Sequence, residues 1–148
     1  MLNEEEELDK IEDMIREQRE RWNKVIDNLS ARLNEELKES IDLTAAANAL
    51  RQKIMSEIST YTMKIIRLVY KLRIIKKAKF EYYATKYQIK VNTTEKNLLI
   101  DADTSTHQAK IDMMDNHINF LRECGKAVDH VIWGVKNKVE MYKITGLD

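Results

Sequence analysis

The chain has no proline in its 148 residues and only three glycines, Gly125, Gly134 and Gly146. Proline breaks a helix because it lacks the amide hydrogen and clashes with the preceding turn, while glycine weakens a helix through its backbone entropy. Almost nothing before the C-terminal quarter therefore interrupts a long helix. We predict an all-α fold built from long helices.

Apolar spacing divides the chain into an acidic N-terminal helix over residues 1–39 and a second domain over residues 40–148. In the first part, apolar residues recur every three or four positions, as they do on one face of a helix. The pattern breaks after residue 39, and Thr44 is predicted to cap a second helix that runs to about Ile89, with an interruption near Ile74. Residues 91–105 are rich in Asn, Thr and Asp and are predicted to form a loop.

The last predicted helix covers residues 106–143 and begins with a Ser-x-x-Gln capping box at Ser105 and Gln108. Its apolar residues alternate at spacings of three and four, which is typical of coiled coils. Two adjacent apolar stripes, with Gly125 and Gly134 allowing close approach, favour an oligomeric bundle in which this helix packs against a neighbouring subunit. The alternative is an intramolecular bundle that buries the helix on two sides. The predicted oligomerisation residues are Ile111, Met114, Ile118, Leu121, Gly125, Val128, Ile132, Val135 and Val139.

Charge is strongly segregated along the chain, although 25 basic and 25 acidic residues give a formal net charge of zero. Residues 1–39 carry seven Lys or Arg against thirteen Asp or Glu, a balance of −6. Residues 64–90 carry nine Lys or Arg against Glu81 alone, a balance of +8. Because a polyanion responds to the local field, residues 64–90 are the candidate binding segment.

Most cations of this basic segment fall on one arc of a helical wheel. Tyr82 lies on the same arc, where its ring can stack on an unpaired base, which favours single strands over duplex grooves. Three alternatives remain: the lysines only keep the helix soluble, the helix lies on an anionic membrane, or the acidic helix covers the basic face. The predicted DNA-binding residues are Lys64, Arg67, Lys71, Arg73, Lys76, Lys77, Lys79, Tyr82, Lys86 and Lys90.

The sequence contains no recognisable catalytic or metal-binding motif. The three glycines do not form a phosphate-binding loop, and His107, His117 and His130 lack the spacing of a helical zinc site. His117 and Cys124 fall on apolar faces and are predicted to be packed side chains. We therefore predict a protein that is not an enzyme and that has no cofactor and no metal site.

Three further features of the sequence predict a soluble, cytoplasmic protein. Cys124 is the single cysteine, so no disulfide can form within one chain. The first residues are acidic and no apolar block follows them, which is unlike a signal peptide. No apolar run approaches the roughly 20 residues that span a bilayer.

One short segment resembles a known family. Lys76–Tyr83 reads KKAKFEYY, which is similar to the Lys-Ala-Arg-Leu-Asp-Tyr-Tyr stretch of the UvsY-like recombination mediators of tailed phages. Upstream, Glu36–Lys38 and Thr44 resemble the beginning of that family, and the C-terminal helix with Trp133 takes the place of its assembly helix. The resemblance covers about residues 30–148.

The resemblance implies a ring-like homo-oligomer in the cytoplasm of an infected bacterial cell that binds single-stranded DNA. Such proteins loosen the single-strand-binding protein and help load a RecA-like recombinase in DNA recombination, repair and replication. The family's DNA-contacting lysine falls on Lys77 and its arginine on Lys79, where lysine keeps the charge but not the planar fork. Residues 1–29 extend beyond the family and receive no role from it. The alternative is a coiled-coil structural adaptor whose basic helix pairs with acidic protein surfaces.

Overall fold

The computed structural model describes residues 2–146 of the chain. Within that range the fold is all-α, as predicted, with four α-helices and no strand. The helices are α1 (Glu4–Ala31), α2 (Ser40–Thr85), α3 (Thr93–Asp103) and α4 (Ser105–Thr145).

The first helix starts at a capping box that the acidic block helps to form. The Asn3 side chain accepts a hydrogen bond from the Glu6 amide at 2.8 Å, and the Glu6 carboxylate accepts one from the Asn3 amide at 3.1 Å. Carboxylates in this first turn also suit the positive end of the helix dipole. The helix ends at Ala31 rather than at residue 39, and two single 3-10 turns, Arg32–Asn34 and Leu37–Glu39, lead into α2.

The second helix is unbroken over 46 residues, so the interruption predicted near Ile74 is wrong. With neither proline nor glycine between Ser40 and Thr85, nothing in the sequence stops the helix. The cap predicted at Thr44 is also wrong, because that residue lies one turn inside the helix and its hydroxyl donates to the Ser40 carbonyl oxygen.

The loop predicted over residues 91–105 is wrong, because most of it forms α3. The Asn92 side chain accepts from the Glu95 amide at 2.8 Å, and the Glu95 carboxylate accepts from the Asn92 amide at 3.2 Å. These bonds make a capping box that starts the helix. All eleven residues of α3 are described and only Ile100 is buried, so the helix carries little apolar periodicity.

The last helix follows α3 after the single residue Thr104. The capping box predicted at Ser105 and Gln108 does not form. The Ser105 hydroxyl instead donates to the Ala102 carbonyl oxygen, and the Gln108 side chain donates to the Asp112 carboxylate. The predicted limits of this helix, residues 106–143, nevertheless lie within two residues of the observed ones.

The helices form two compact units that do not follow the predicted division at residue 39. The first unit combines the chain up to Met14 with Tyr61–Asn116, and the second combines Ile15–Thr60 with the chain from His117 onward. The acidic helix therefore contributes residues to both units, and its buried residues, Ile15, Trp22 and Leu29, lie in the second.

The second unit contains three helical segments that contact one another. Segments of α1 and α4 run in the same direction, because Gln18 lies against His117 and Leu33 against Gly134. The α2 segment joins them through the pairs Trp22–Glu57, Arg51–Asp129 and Ile54–Gly125.

The two units differ in how much apolar surface they bury. Among the described residues, twelve apolar side chains are buried in the second unit and five in the first. Nine large apolar side chains of the first unit are exposed, so that unit shows more of them to solvent than it buries. They are Leu2, Met63, Ile66, Tyr70, Ile74, Phe80, Tyr82, Ile89 and Leu98.

Most of the predicted oligomerisation residues lie in the core of the chain itself, so their spacing is explained without a neighbouring subunit. Leu121 and Val128 have no exposed surface that a neighbouring subunit could touch. Heptad spacing shows that a face is buried but not which chain buries it, and here the intramolecular alternative is the observed one. Six of the nine are buried (Ile111, Met114, Ile118, Leu121, Val128 and Val135), and Gly125, Ile132 and Val139 are half-buried.

The two glycines that were predicted to admit a neighbouring subunit lie against residues of the same chain. A Cβ added at Gly134 would lie 2.9 Å from Cδ2 of Leu33, so the Leu33 side chain would have to shift to admit it. The nearest atom to a Cβ at Gly125 is Cγ2 of Ile54 at 3.9 Å, an ordinary contact.

Candidate nucleic-acid interface

All ten predicted DNA-binding residues lie in the first unit. Eight of them are on the C-terminal part of α2, while Lys86 and Lys90 lie in the segment that follows the helix end at Thr85. A single unbroken helix therefore fixes the spacing of most of the cations.

Four of these cations form an exposed set without ion pairs, which we call the basic face: Arg67, Lys71, Arg73 and Lys77. None of them lies within ion-pair distance of a carboxylate among residues 2–146. At the helical rise, Arg67 and Lys77 are about 15 Å apart along the axis. Lys64 is also exposed, and its ammonium lies 5.1 Å from the centre of the Tyr61 ring.

Two other predicted contacts, Lys76 and Lys79, are half-buried and face acidic residues of α3. The Lys76 ammonium lies 3.8 Å from Asp101, and the Lys79 ammonium lies 3.7 Å from Asp103. These partners went unrecognised because the segment that carries them was expected to be a loop. Ion pairs at a surface contribute little energy, so the two carboxylates partly neutralise these lysines but do not hold them in place.

Three tyrosines form a cluster at the end of α2. The Tyr82 ring contacts Tyr83 edge-on at 5.2 Å and Tyr87 at 6.0 Å, and 43% of Tyr82 stays exposed. The Tyr83 hydroxyl donates to the Asp103 carboxylate, and this hydrogen bond raises the pKa of Tyr83 to about 12. The cluster thus holds Tyr82 in place while leaving part of its ring open to a ligand.

An exposed apolar stripe runs between the cations of the basic face, and its exposure was not predicted from the sequence. Met63, Ile66, Tyr70 and Ile74 follow one another at spacings of three and four, and each is at least 53% exposed. The apolar side of an amphipathic helix is normally packed against the core. Its periodicity alone could not show that the remaining helices cover only one of its two apolar sides.

The acidic N-terminal helix does not cover the basic face. Among residues 2–14, Glu7 bonds to Lys110 of α4, and this bond holds the pKa of the Glu7 carboxyl below its usual value. Lys71 adds a weaker electrostatic effect at that carboxyl. Because the basic face stays exposed, pairing with α1 does not explain it.

Other reactive side chains are packed away from this interface. His117 and Cys124 are buried in the second unit, and burial lowers the pKa of His117 and raises the pKa of the Cys124 thiol. Across residues 2–146 no group of three or more His, Cys, Asp or Glu side chains is placed to hold a metal ion. In the same range, none of the helices combines the length and apolar character needed to cross a membrane.

Comparisons with known proteins gave no relative. No protein-family model matches the chain, and neither curated proteins nor solved structures gave a match.

Proposed function

We propose that this chain is a binding protein for single-stranded DNA, which runs over the C-terminal part of α2. The observation that carries the proposal is the exposed basic face next to Tyr82. Cations without carboxylate partners can neutralise phosphates and release counterions, and that release supplies most of the affinity for a polyanion. Since aromatic rings stack on any unpaired base, Tyr82 adds a contact that a duplex does not offer.

A recombination-mediator role in the bacterial cytoplasm extends this proposal. The similarity of Lys76–Tyr83 to the phage mediators supports it, with a RecA-like recombinase and a single-strand-binding protein as further partners. In that family Lys77 and Lys79 are the matching positions. Lys77 is exposed and unpaired within the described chain, whereas Lys79 must leave Asp103 to meet a phosphate.

Assembly with further copies belongs to the same proposal. The first unit exposes a large apolar stripe, and burying such a stripe against another subunit stabilises an oligomer. Arg67 and Lys77 lie next to the stripe, so pairing it with itself would bring like charges together. Contact with a different surface of the neighbouring copy avoids this repulsion, and such head-to-tail contacts generate rings.

The test is a salt titration of binding to fluorescent oligo-dT. For the parent protein, log K should fall linearly with log salt, by about 0.7 per phosphate contacted. Arg73→Ala with Lys77→Ala should weaken binding and flatten the slope by about 1.4. Lys136→Ala removes an exposed cation in the second unit and should leave the affinity and the salt slope unchanged.

Two outcomes would count against the proposal. Parent-like affinity and slope in the Arg73 and Lys77 variant would move DNA to another surface. A parent protein that fails to bind oligo-dT even at low salt would favour the structural adaptor. The exposed apolar stripe fits that second class, because an acidic amphipathic helix could pack on it between the flanking cations.

A further inference from the structure

A groove on the exposed side of α2 is not explained by phosphate binding. It encloses about 370 Å³ and is lined by Ile74, Ile75, Ala78, Lys79 and Tyr82. Ala78 lies three and four residues from the isoleucines and four from Tyr82, so all of them share one side of the helix. The small Ala78 side chain leaves a gap between the isoleucines on one side and the tyrosine on the other.

We infer that this groove is a slot for one unpaired nucleobase of the bound strand, with the base stacked on the exposed part of the Tyr82 ring. This inference rests on the proposed binding of single-stranded DNA and adds to it a defined position for a base. The ring contacts of Tyr82 with Tyr83 and Tyr87 hold it in place before the base arrives. A prearranged ring loses little side-chain freedom on stacking.

The chemistry of the groove matches a nucleotide better than an apolar peptide side chain. Its lining is mostly apolar, and Lys79, whose ammonium lies 3.7 Å from Asp103, supplies a cation beside it. Lys71 lies one turn before Ile75 on the same side of the helix, and it is exposed. A nucleotide joins a flat, largely apolar ring to an anion, so one ligand satisfies both the slot and the lysines beside it.

The experiment compares oligo-dT with an abasic oligonucleotide of the same length, which has the same phosphates but no bases. The parent protein should bind oligo-dT more tightly, by about fivefold to a hundredfold for one stacked base. Ala78→Leu fills the slot and should abolish that preference while leaving affinity for the abasic strand unchanged. Ala84→Leu adds the same bulk at an exposed position of α2 outside the groove and should behave as the parent.

The possible results separate this inference from the proposed function. If the parent binds both strands equally, or if Ala78→Leu keeps the preference for oligo-dT, the base slot is contradicted but DNA binding is not. Binding of neither strand overturns the proposed function and the slot with it. If Ala78→Leu loses helicity by circular dichroism, the slot is tested instead with an oligo-dT strand that carries one fluorescent 2-aminopurine base. The parent should quench that fluorophore by stacking and Tyr82→Leu should quench it less, whereas equal emission overturns the slot.

Discussion

The two interior glycines of α4 show how neighbouring contacts decide what one residue does. Both lie in a continuous helix, where glycine costs stability relative to alanine. At Gly134 the side chain of Leu33 occupies the space that a Cβ would need, whereas at Gly125 a Cβ would make an ordinary contact with Ile54. The sequence placed both glycines on an apolar face, but it could not distinguish a packing requirement from a tolerated weakness.

Gly125→Ala should therefore raise the free energy of unfolding by about 0.5–1 kcal/mol, because alanine restricts the unfolded chain and favours the helix. Gly134→Ala should raise the free energy of unfolding by less, since Leu33 must first move to admit the methyl group. Urea unfolding followed by circular dichroism measures both. Equal stabilisation by the two substitutions would show that Leu33 moves at no cost and that Gly134 is not required for packing.

His117 gives the second unit a pH dependence whose sign follows from its burial. The side chain is fully buried, its Nε2 lies 2.8 Å from the Gln18 amide oxygen, and burial is the main cause that lowers its pKa, with Arg19 next. Both states hold a neutral imidazole well above the ordinary pKa of 6.5. As the pH drops below 6.5, the unfolded chain binds a proton while folded His117 stays neutral. The free energy of unfolding therefore decreases as the pH drops, until the pKa of folded His117 is reached.

The prediction compares the parent with His117→Gln by urea unfolding at about pH 7.5 and about pH 5.5, on either side of the ordinary histidine pKa. The parent should lose more free energy of unfolding over this interval than the variant, which lacks the titrating group. Lower stability of the variant at both pH values does not affect this comparison. An equal loss in the two proteins would assign the pH dependence to other groups.

The short helix α3 is the element that the sequence analysis missed, and it changes the electrostatics of the basic segment. Its start was readable from Asn92 and Glu95, which have the spacing of a capping box. Apolar periodicity was the stronger criterion, and a helix with a single buried residue lacks it. In contrast, the long helices α1 and α2 were predictable because neither proline nor glycine interrupts them, and α4 was predictable because its apolar spacing continues past Gly125 and Gly134. The half-burial and pairing of Lys76 and Lys79 depend on α3, so they could not be predicted.

Removing the acidic partners should strengthen DNA binding. Asp103→Asn releases Lys79 and deletes a negative charge, while the amide oxygen can still accept from Tyr83. We expect a severalfold rise in affinity for oligo-dT at low salt and a steeper salt slope, because another cation becomes available to the phosphates. Asp115→Asn, a matched loss of an exposed carboxylate on α4 in the same unit, should have a smaller effect. If the two variants bind alike, Lys79 takes no part in holding the strand.

At the scale of the whole molecule, the apolar stripes of α4 were predicted to meet a neighbouring subunit, and helices of the same chain already cover much of them. A spacing of three and four residues requires only that something covers the face, and the other helices of the same chain meet that requirement at Leu121 and Val128. The stripe on α2 is the reverse case. Its apolar residues also follow a helical spacing, yet Ile66 and Tyr70 are among the most exposed apolar side chains of the first unit.

Mutations in the exposed stripe of α2 and in the buried stripe of α4 should have different effects. Those in α2 should weaken the subunit contact, and the one in α4 should unfold the second unit. Ile66→Gln with Tyr70→Gln removes apolar surface from the exposed stripe, so light scattering should show a smaller particle with unchanged helicity. Val128→Asp places an unpaired charge in a fully buried position, at a cost of several kcal/mol, so it should unfold the second unit rather than release folded subunits.

The control applies the glutamine changes to Met141 and Ile144, which are exposed apolar residues at the end of α4 in the second unit. It should keep the mass of the parent if subunits meet through the α2 stripe. A smaller particle from the control alone would place the contact at the end of α4. Folded, smaller particles from Val128→Asp would mean that this side chain faces a neighbouring subunit in solution, and the core of the second unit would then have to be shared between copies.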